Sequence, residues 1–163
     1  MIQKVKLTTR EGKKVMGCRV TVTSDFHSNI ENIWDKIQDV DTLREICKPK
    51  ASFISCDNSP LLWREGKSFV FKLFLHGFLP VGRHTINVVK IDKASREIDT
   101  KEYNDTVIIR NHYIKMEEIS QQITRYTDTV DLYAGYFTFI ATWWTLKFYK
   151  HRQRKWQMIA KSL

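Results

Sequence analysis

Residues 79–133 read LPVGRHTINVVKID, KASR, EIDTKEYN, DT, VIIRNHYIKMEE, ISQ, QITRYTDTVDLY. Four stretches rich in β-branched and aromatic residues, Leu79–Asp92, Glu97–Asn104, Val107–Glu118 and Gln122–Tyr133, alternate in polarity and are separated by short turns. Turns that short leave no room for a crossover helix, so the stretches predict an antiparallel meander. Working outward, Ala51–Cys56 predicts a short strand and Asn58-Ser59-Pro60 a turn. Trp63–Leu75 is apolar and aromatic, with a kink expected at Gly66. Lys14–Phe26 sets Val20 and Val22 on one face against Arg19, Thr21 and Thr23 on the other, and predicts strand one.

Two short helices are expected over roughly 28–47. Ser28 and Glu31 form an S-x-x-E capping box, Ile30, Ile33, Trp34 and Ile37 follow at helical spacing, and Val40, Leu43 and Ile46 resume it after a break at Asp39–Asp41. Pro49 ends the second helix. Gly135 opens a long final helix over about 136–160. The expectation is therefore an α+β fold: a curved antiparallel sheet of six to seven strands around a long C-terminal helix, with two short helices after strand one. Such a sheet and helix enclose a cavity that the aromatic content, 12% of the chain, suits as a lining.

A chain of 163 residues fits one domain, 1–163, able to bury about two thirds of its unfolded surface. Its 42% hydrophobic content excludes disorder, and three Pro with six Gly exclude collagen-like or linker-rich readings. Cys18, Cys47 and Cys56 match no zinc or CxxC spacing and predict free thiols in a reducing cytoplasm. Residues 1–14 mix charge with apolar residues and build no secretory h-region. The longest uncharged run, Leu132–Leu146, is 15 residues, short of the ~20 of a membrane span. The net charge of +9 gathers at the ends: six Lys and Arg against Glu11 in residues 1–20, and Lys147, Lys150, Arg152, Arg154, Lys155 and Lys161 with no acid in 147–161. Such a patch is either a solvated face or a contact for an anionic surface.

Three local motifs, with the element order, carry a resemblance. Pro80-Val81-Gly82-Arg83-His84 leads a strand; Thr124-Arg125-Tyr126-Thr127-Asp128-Thr129-Val130 is similar to a T-x-x-x-D-x-V strand; Ala134-Gly135 precedes a helix ending Phe148-Tyr149-Lys150-His151-Arg152-Gln153-Arg154-Lys155-Trp156. Over nearly its whole length the chain resembles the START/Bet v 1-like superfamily (SRPBCC, polyketide cyclase/dehydratase-like), in an uncharacterised bacterial branch. The resemblance implies the helix-grip fold and a single ligand-binding domain. The superfamily includes lipid carriers, cyclases, hormone receptors, oxygenase domains and chaperone activators.

Strand parity sorts candidate site residues. A turn centred on Ser120 pairs positions summing to 240, setting His112 opposite Asp128, Ile114 opposite Tyr126 and Arg110 opposite Val130. A turn centred on Ala94 gives His84, Ile86 and Val88 the parity of Ile98, Thr100, Glu102 and Asn104. His84, Glu102, Arg110, His112, Tyr126 and Asp128 then share the inner face. His112 with Asp128 is either a mutually satisfied buried pair, a ligand anchor or an acid–base pair. The two His and two carboxylates lack a metal motif's spacing, so no metal or cofactor is expected. On the last helix Phe137, Ala141, Trp144, Phe148 and Ile159 predict the sheet-facing stripe, leaving Lys147, Lys150 and Arg154 in solvent; Phe139 and Trp143 fall beside the basic row.

The leading expectation is a binding module for a lipid, isoprenoid or polycyclic aromatic. Trp144, Phe148, Phe71, Leu73 and Tyr126 would wall the cavity, and His112, Asp128 and Arg110 would anchor a polar head, with His84 and Glu102 on the same face. One alternative is a cyclase/dehydratase-like enzyme using His112 and Asp128. Another is a peripheral membrane or protein-interaction module, with Lys147, Lys150 and Arg154 in weak contact with an anionic membrane. No nucleic-acid motif occurs, and a monomer or homodimer is expected.

Overall fold

The structure, a computed structural model, describes residues 1–56, 61–104 and 107–163. Eight strands form one sheet: β1 Ile2–Thr8, β2 Lys14–Phe26, β3 Ala51–Ser55, β4 Ser68–Leu75, β5 Leu79–Asp92, β6 Glu97–Asn104, β7 Ile109–Ser120 and β8 Ile123–Tyr133. The helices are α1 Ile30–Ile37, α2 Val40–Cys47 and α3 Thr138–Ala160, the last preceded by one 3₁₀ turn, Gly135–Phe137. The spatial order is β1-β2-β8-β7-β6-β5-β4-β3, antiparallel at every pairing. A curved antiparallel sheet wraps the long C-terminal helix, and α1 and α2 close the other side: the helix-grip architecture.

The sheet exceeds the expected six to seven strands because the N-terminal segment is itself a strand. β1 pairs β2 from Ile2 opposite Val20 to Thr8 opposite Lys14, and buries only Leu7. An edge strand open to water on most sides tolerates Lys4 and Lys6, which masked it. The expected strand one is therefore β2. The helix start also differs. Asn29, not Ser28, caps α1, accepting the Asn32 backbone N–H at 2.8 Å, while Glu31 pairs with Arg96. Asp39 caps α2 as the break implied. Gly66 sits at φ +74° in a turn ahead of β4, so the strand begins at Ser68 and Trp63 instead packs edge-on against Phe69. The turn expected at Asn58-Ser59-Pro60 lies outside the described residues.

The sheet alternates cleanly. In β8 each even residue from Thr124 to Leu132 is buried and each odd residue half-exposed. Phe26, Tyr126 and Trp156 stack at 5.0–6.0 Å between β2, β8 and α3. Burying such aromatics against α1, through Ile33 and Trp34, fixes the far end of α3 on the sheet.

Gly17 sits where β2 is closely flanked by both its neighbours. A Cβ there would lie 2.4 Å from Leu7 Cδ1 and 2.6 Å from the Leu132 carbonyl oxygen. The carbonyl is backbone and cannot swing aside. Gly17→Ala is expected to destabilise the protein by about 1–3 kcal/mol, the usual cost of overpacking. Urea unfolding checks this; an unchanged midpoint would mean that β1 and β8 yield without cost.

Candidate functional site

Two cavities flank a layer of buried polar side chains. The larger, about 330 Å³, lies between β3, β4 and β5 and the first half of α3. Its walls are apolar, Phe53, Leu73, Leu75, Val81, Trp144 and Phe148 among them, and His84 and Arg110 stand in its lining. The smaller, about 50 Å³, lies toward α1 and α2 and touches Glu102, His112 and Arg152.

The layer is assembled by parity. β5, β6, β7 and β8 each turn alternate residues inward, which aligns His84, Glu102, Arg110, His112, Tyr126 and Asp128 on the buried face. All six are buried as expected. Glu102 is the hub. Its Oε2 faces His84 Nε2 at 3.1 Å and Arg110 Nε at 3.2 Å, and its Oε1 faces His112 Nδ1 at 3.4 Å. His112 Nε2 meets Asp128 Oδ1 at 2.7 Å. Burial alone would raise the Glu102 pKa, but the charge of Arg110 and hydrogen bonds from His112 and His84 outweigh it and hold the carboxyl well below its usual range. Burial likewise opposes a charged His112, yet its hydrogen bonds to Asp128 and Glu102 prevail and make it more basic than a free imidazole.

The register corrects one expectation. β7 and β8 pair with sums of 242, so His112 sits opposite Val130 and Ile114 opposite Asp128. The tighter turn and the bulge between Glu118 and Ser120 shift the ladder by two residues. A shift of two preserves parity, so His112 and Asp128 remain on one face and bond diagonally.

The expected wall residues divide. Leu73, Trp144 and Phe148 line the larger cavity, with the Trp144 and Phe148 rings stacked at 4.7 Å. Phe71 packs with Val40, Phe69, Ile86 and Val88, and Tyr126 packs between Phe26 and Trp156. Asp128 lies behind His112, where Gln153 Nε2 donates to it at 2.9 Å. Neither Phe71, Tyr126 nor Asp128 lines either cavity.

The helix stripe is also rotated. Thr142, Thr145, Phe148, Tyr149, Arg152, Gln153, Trp156 and Ala160 are buried, Trp144 and Ile159 half-buried, and Phe137 is exposed at the cavity rim. Lys147, Lys150 and Arg154 face solvent as expected. Sequence reasoning missed Tyr149, Arg152 and Gln153, although 142, 145, 149, 152/153, 156 and 160 keep helical spacing. The polar residues Thr142, Thr145, Arg152 and Gln153 in that row hid it. Gln153 also donates to the Val22 carbonyl at 2.7 Å and accepts from Ser24 at 2.7 Å, so its amide clamps β2 and Asp128 to α3. No three His, Cys, Asp or Glu side chains among the described residues converge as a metal site requires.

The two pKa shifts set a pH dependence. His112, raised above 6.5, stabilises the fold fully below that pH, and the contribution is lost as pH rises through its folded value. Glu102, lowered below 4.5, stabilises it above that pH, and the contribution is lost as pH falls. The urea midpoint is therefore expected to decline from pH 6.5 upward, and His112→Gln to flatten that limb. A wild-type midpoint constant or rising from pH 6.5 to 8.5 would contradict the charged His112.

No protein-family model matches the chain, and no curated protein does. Solved structures do. A START superfamily protein from Mycobacterium smegmatis superposes with a TM-score of 0.67 at 11% identity, covering 88% of this chain and 97% of that one. A protein from Chromobacterium violaceum gives 0.68 at 7% identity, over 87% and 96%. An aromatase/cyclase from a Streptomyces species gives 0.54 at 17% identity, over 72% of this chain and 68% of that one. At these identities the likeness is one of fold: this chain has the helix-grip fold that the START-like proteins have.

Proposed function

We propose that this protein binds a hydrophobic or amphipathic small molecule, of the lipid, isoprenoid or polycyclic aromatic class, in the cavity between the sheet and α3, with residues 1–163 acting as one ligand-binding domain. The observation that carries this reading is the cavity of about 330 Å³, apolar in its walls and polar at one end. That volume reaches the ~300 Å³ at which ligand sites begin. Apolar ligand surface buried there contributes about 25 cal/mol per Å² before the costs of binding. The three free thiols suit a reducing compartment such as the cytoplasm.

The acid–base reading draws less support. Both ring nitrogens of His112 already face carboxylates, so neither is left for a substrate proton. Membrane contact, in contrast, has an observation in its favour. Tyr136, Phe137, Phe139, Ile140 and Trp143 are exposed in one run at the cavity rim, and Lys147 lies 3.7 Å over the Trp143 ring. Lys147, Lys150 and Arg154 extend this edge with positive charge, and no acidic residue follows Asp131. Aromatics beside cations suit the interface of an anionic bilayer, where a ligand could enter. No helix among the described residues is long and apolar enough to cross a membrane.

Two measurements test this. Ala141→Trp puts an indole into the cavity. It is expected to weaken binding of the neutral dye N-phenyl-1-naphthylamine at least about tenfold, equivalent to 1.4 kcal/mol, without loss of fold. Unchanged dye affinity would put the site elsewhere. For the membrane, flotation with phosphatidylserine vesicles is expected at low salt, fading toward 0.5 M as screening shortens to a few ångströms, and weaker for Phe139→Ser/Trp143→Ser. Flotation equal for neutral vesicles, or none at low salt, would exclude the charged contact.

A further inference from the structure

The polar layer at the inner end of the cavity does not balance its own charge. Two carboxylates are buried there, Glu102 and Asp128. Against them stand two guanidinium groups, Arg110 and Arg152, both buried. His112 adds a third cation. Its two ring nitrogens face carboxylate oxygens at 2.7 and 3.4 Å, and a neutral imidazole can donate from one nitrogen only. Cys47, pushed up to about 11, and Tyr149, pushed up to about 12, both by burial, keep their protons at neutral pH and add no charge. Among the described residues three cations thus face two anions.

The excess is visible in individual contacts. Arg152 makes no hydrogen bond and no ion pair among the described residues; aromatic faces hold it, Tyr149 at 4.6 Å and Phe148 at 5.9 Å. Arg110 holds Nε 3.2 Å from Glu102 without a hydrogen bond, and gives one terminal nitrogen to the Tyr149 hydroxyl at 3.4 Å. His84 uses Nε2 on Glu102, and its buried Nδ1 has no partner. Of these groups, Arg110 and His84 are the two that line the larger cavity. A buried charge without a counter-charge is costly in an apolar surrounding, and so is an unpaired buried ring nitrogen.

We propose that the ligand's polar end is a monoanion, a carboxylate or its equivalent, received by Arg110 where the apolar cavity meets this layer. The assignment rests on the cavity-binding reading above and names the ligand class for that same site. One negative charge neutralises the layer. Arg110 supplies a charge-assisted donor to it. A neutral head leaves the excess uncompensated, and a cationic head adds to it.

The test holds the tail constant and changes the head. Protein carrying N-phenyl-1-naphthylamine is titrated at pH 7 with decanoate, 1-decanol and decyltrimethylammonium, and displacement is read by fluorescence. Decanoate is expected to displace the dye at about one tenth the concentration of decanol, with the ammonium weakest. Arg110→Met is expected to bring the decanoate-to-decanol preference below about threefold. Should that variant fail to fold with Glu102 deprived of a partner, Arg152→Met removes the excess charge without breaking a hydrogen bond or ion pair. It too is expected to reduce the preference while leaving decanol unchanged. Decanol displacing as well as decanoate, or a preference that survives in Arg152→Met and in a folded Arg110→Met, overturns the monoanion and leaves the cavity reading intact. Dye that never binds, or that none of the three displaces, overturns the cavity reading itself.

Discussion

A carboxylate buried at the centre of a curved sheet must be surrounded by donors, and Glu102 sets the interior of this protein by that requirement. Burial removes the water that would otherwise solvate it, at a cost of several kcal/mol for an unpaired ion. His84, Arg110 and His112 converge on it from β5 and β7. Two of these in turn fix further contacts: His112 orders Asp128, which holds Gln153 of α3, and Arg110 reaches the Tyr149 hydroxyl. The orientation of α3 over the sheet is thereby specified by polar contacts as well as by the packing of Trp156 against Phe26 and Tyr126.

The same layer decides where the hollow of the fold is filled and where it stays open. Toward α1 and α2, large side chains close the interior to about 50 Å³. Toward the start of α3, β3 and β4 diverge from the helix, and Leu73, Leu75 and Val81 face Trp144 and Phe148 across about 330 Å³. A cavity with apolar walls and a charged floor suits an amphipathic molecule that enters tail outward. The exposed run from Tyr136 to Trp143 at the rim gives its outer end an apolar border.

Much of this was legible in the sequence because a strand repeats every two residues. Parity put six polar residues on one face correctly even though the β7–β8 register was off by two, since an even slip leaves faces unchanged. β1 was illegible for the opposite reason: an edge strand needs little burial, so Lys4 and Lys6 disguise it. The α3 stripe was legible only in part, because polar residues share the buried face of a helix that packs on a polar sheet interior. Trp144 and Phe148 border the cavity, whereas Arg152 and Gln153, which read as surface residues, turn toward β2 and the charged layer. Parity could not tell that His84 reaches the larger cavity and His112 the smaller, because that depends on each strand's place across the sheet.

The most direct measurement is a crystal structure of the protein soaked with 10-bromodecanoate, with the bromine located by its anomalous signal. The account predicts bromine among Leu73, Trp144 and Phe148 or at the rim beyond them, with the carboxylate within hydrogen-bond distance of Arg110. Bromine on the outer surface of the sheet, or a filled cavity with the carboxylate turned to solvent and Arg110 untouched, would contradict it.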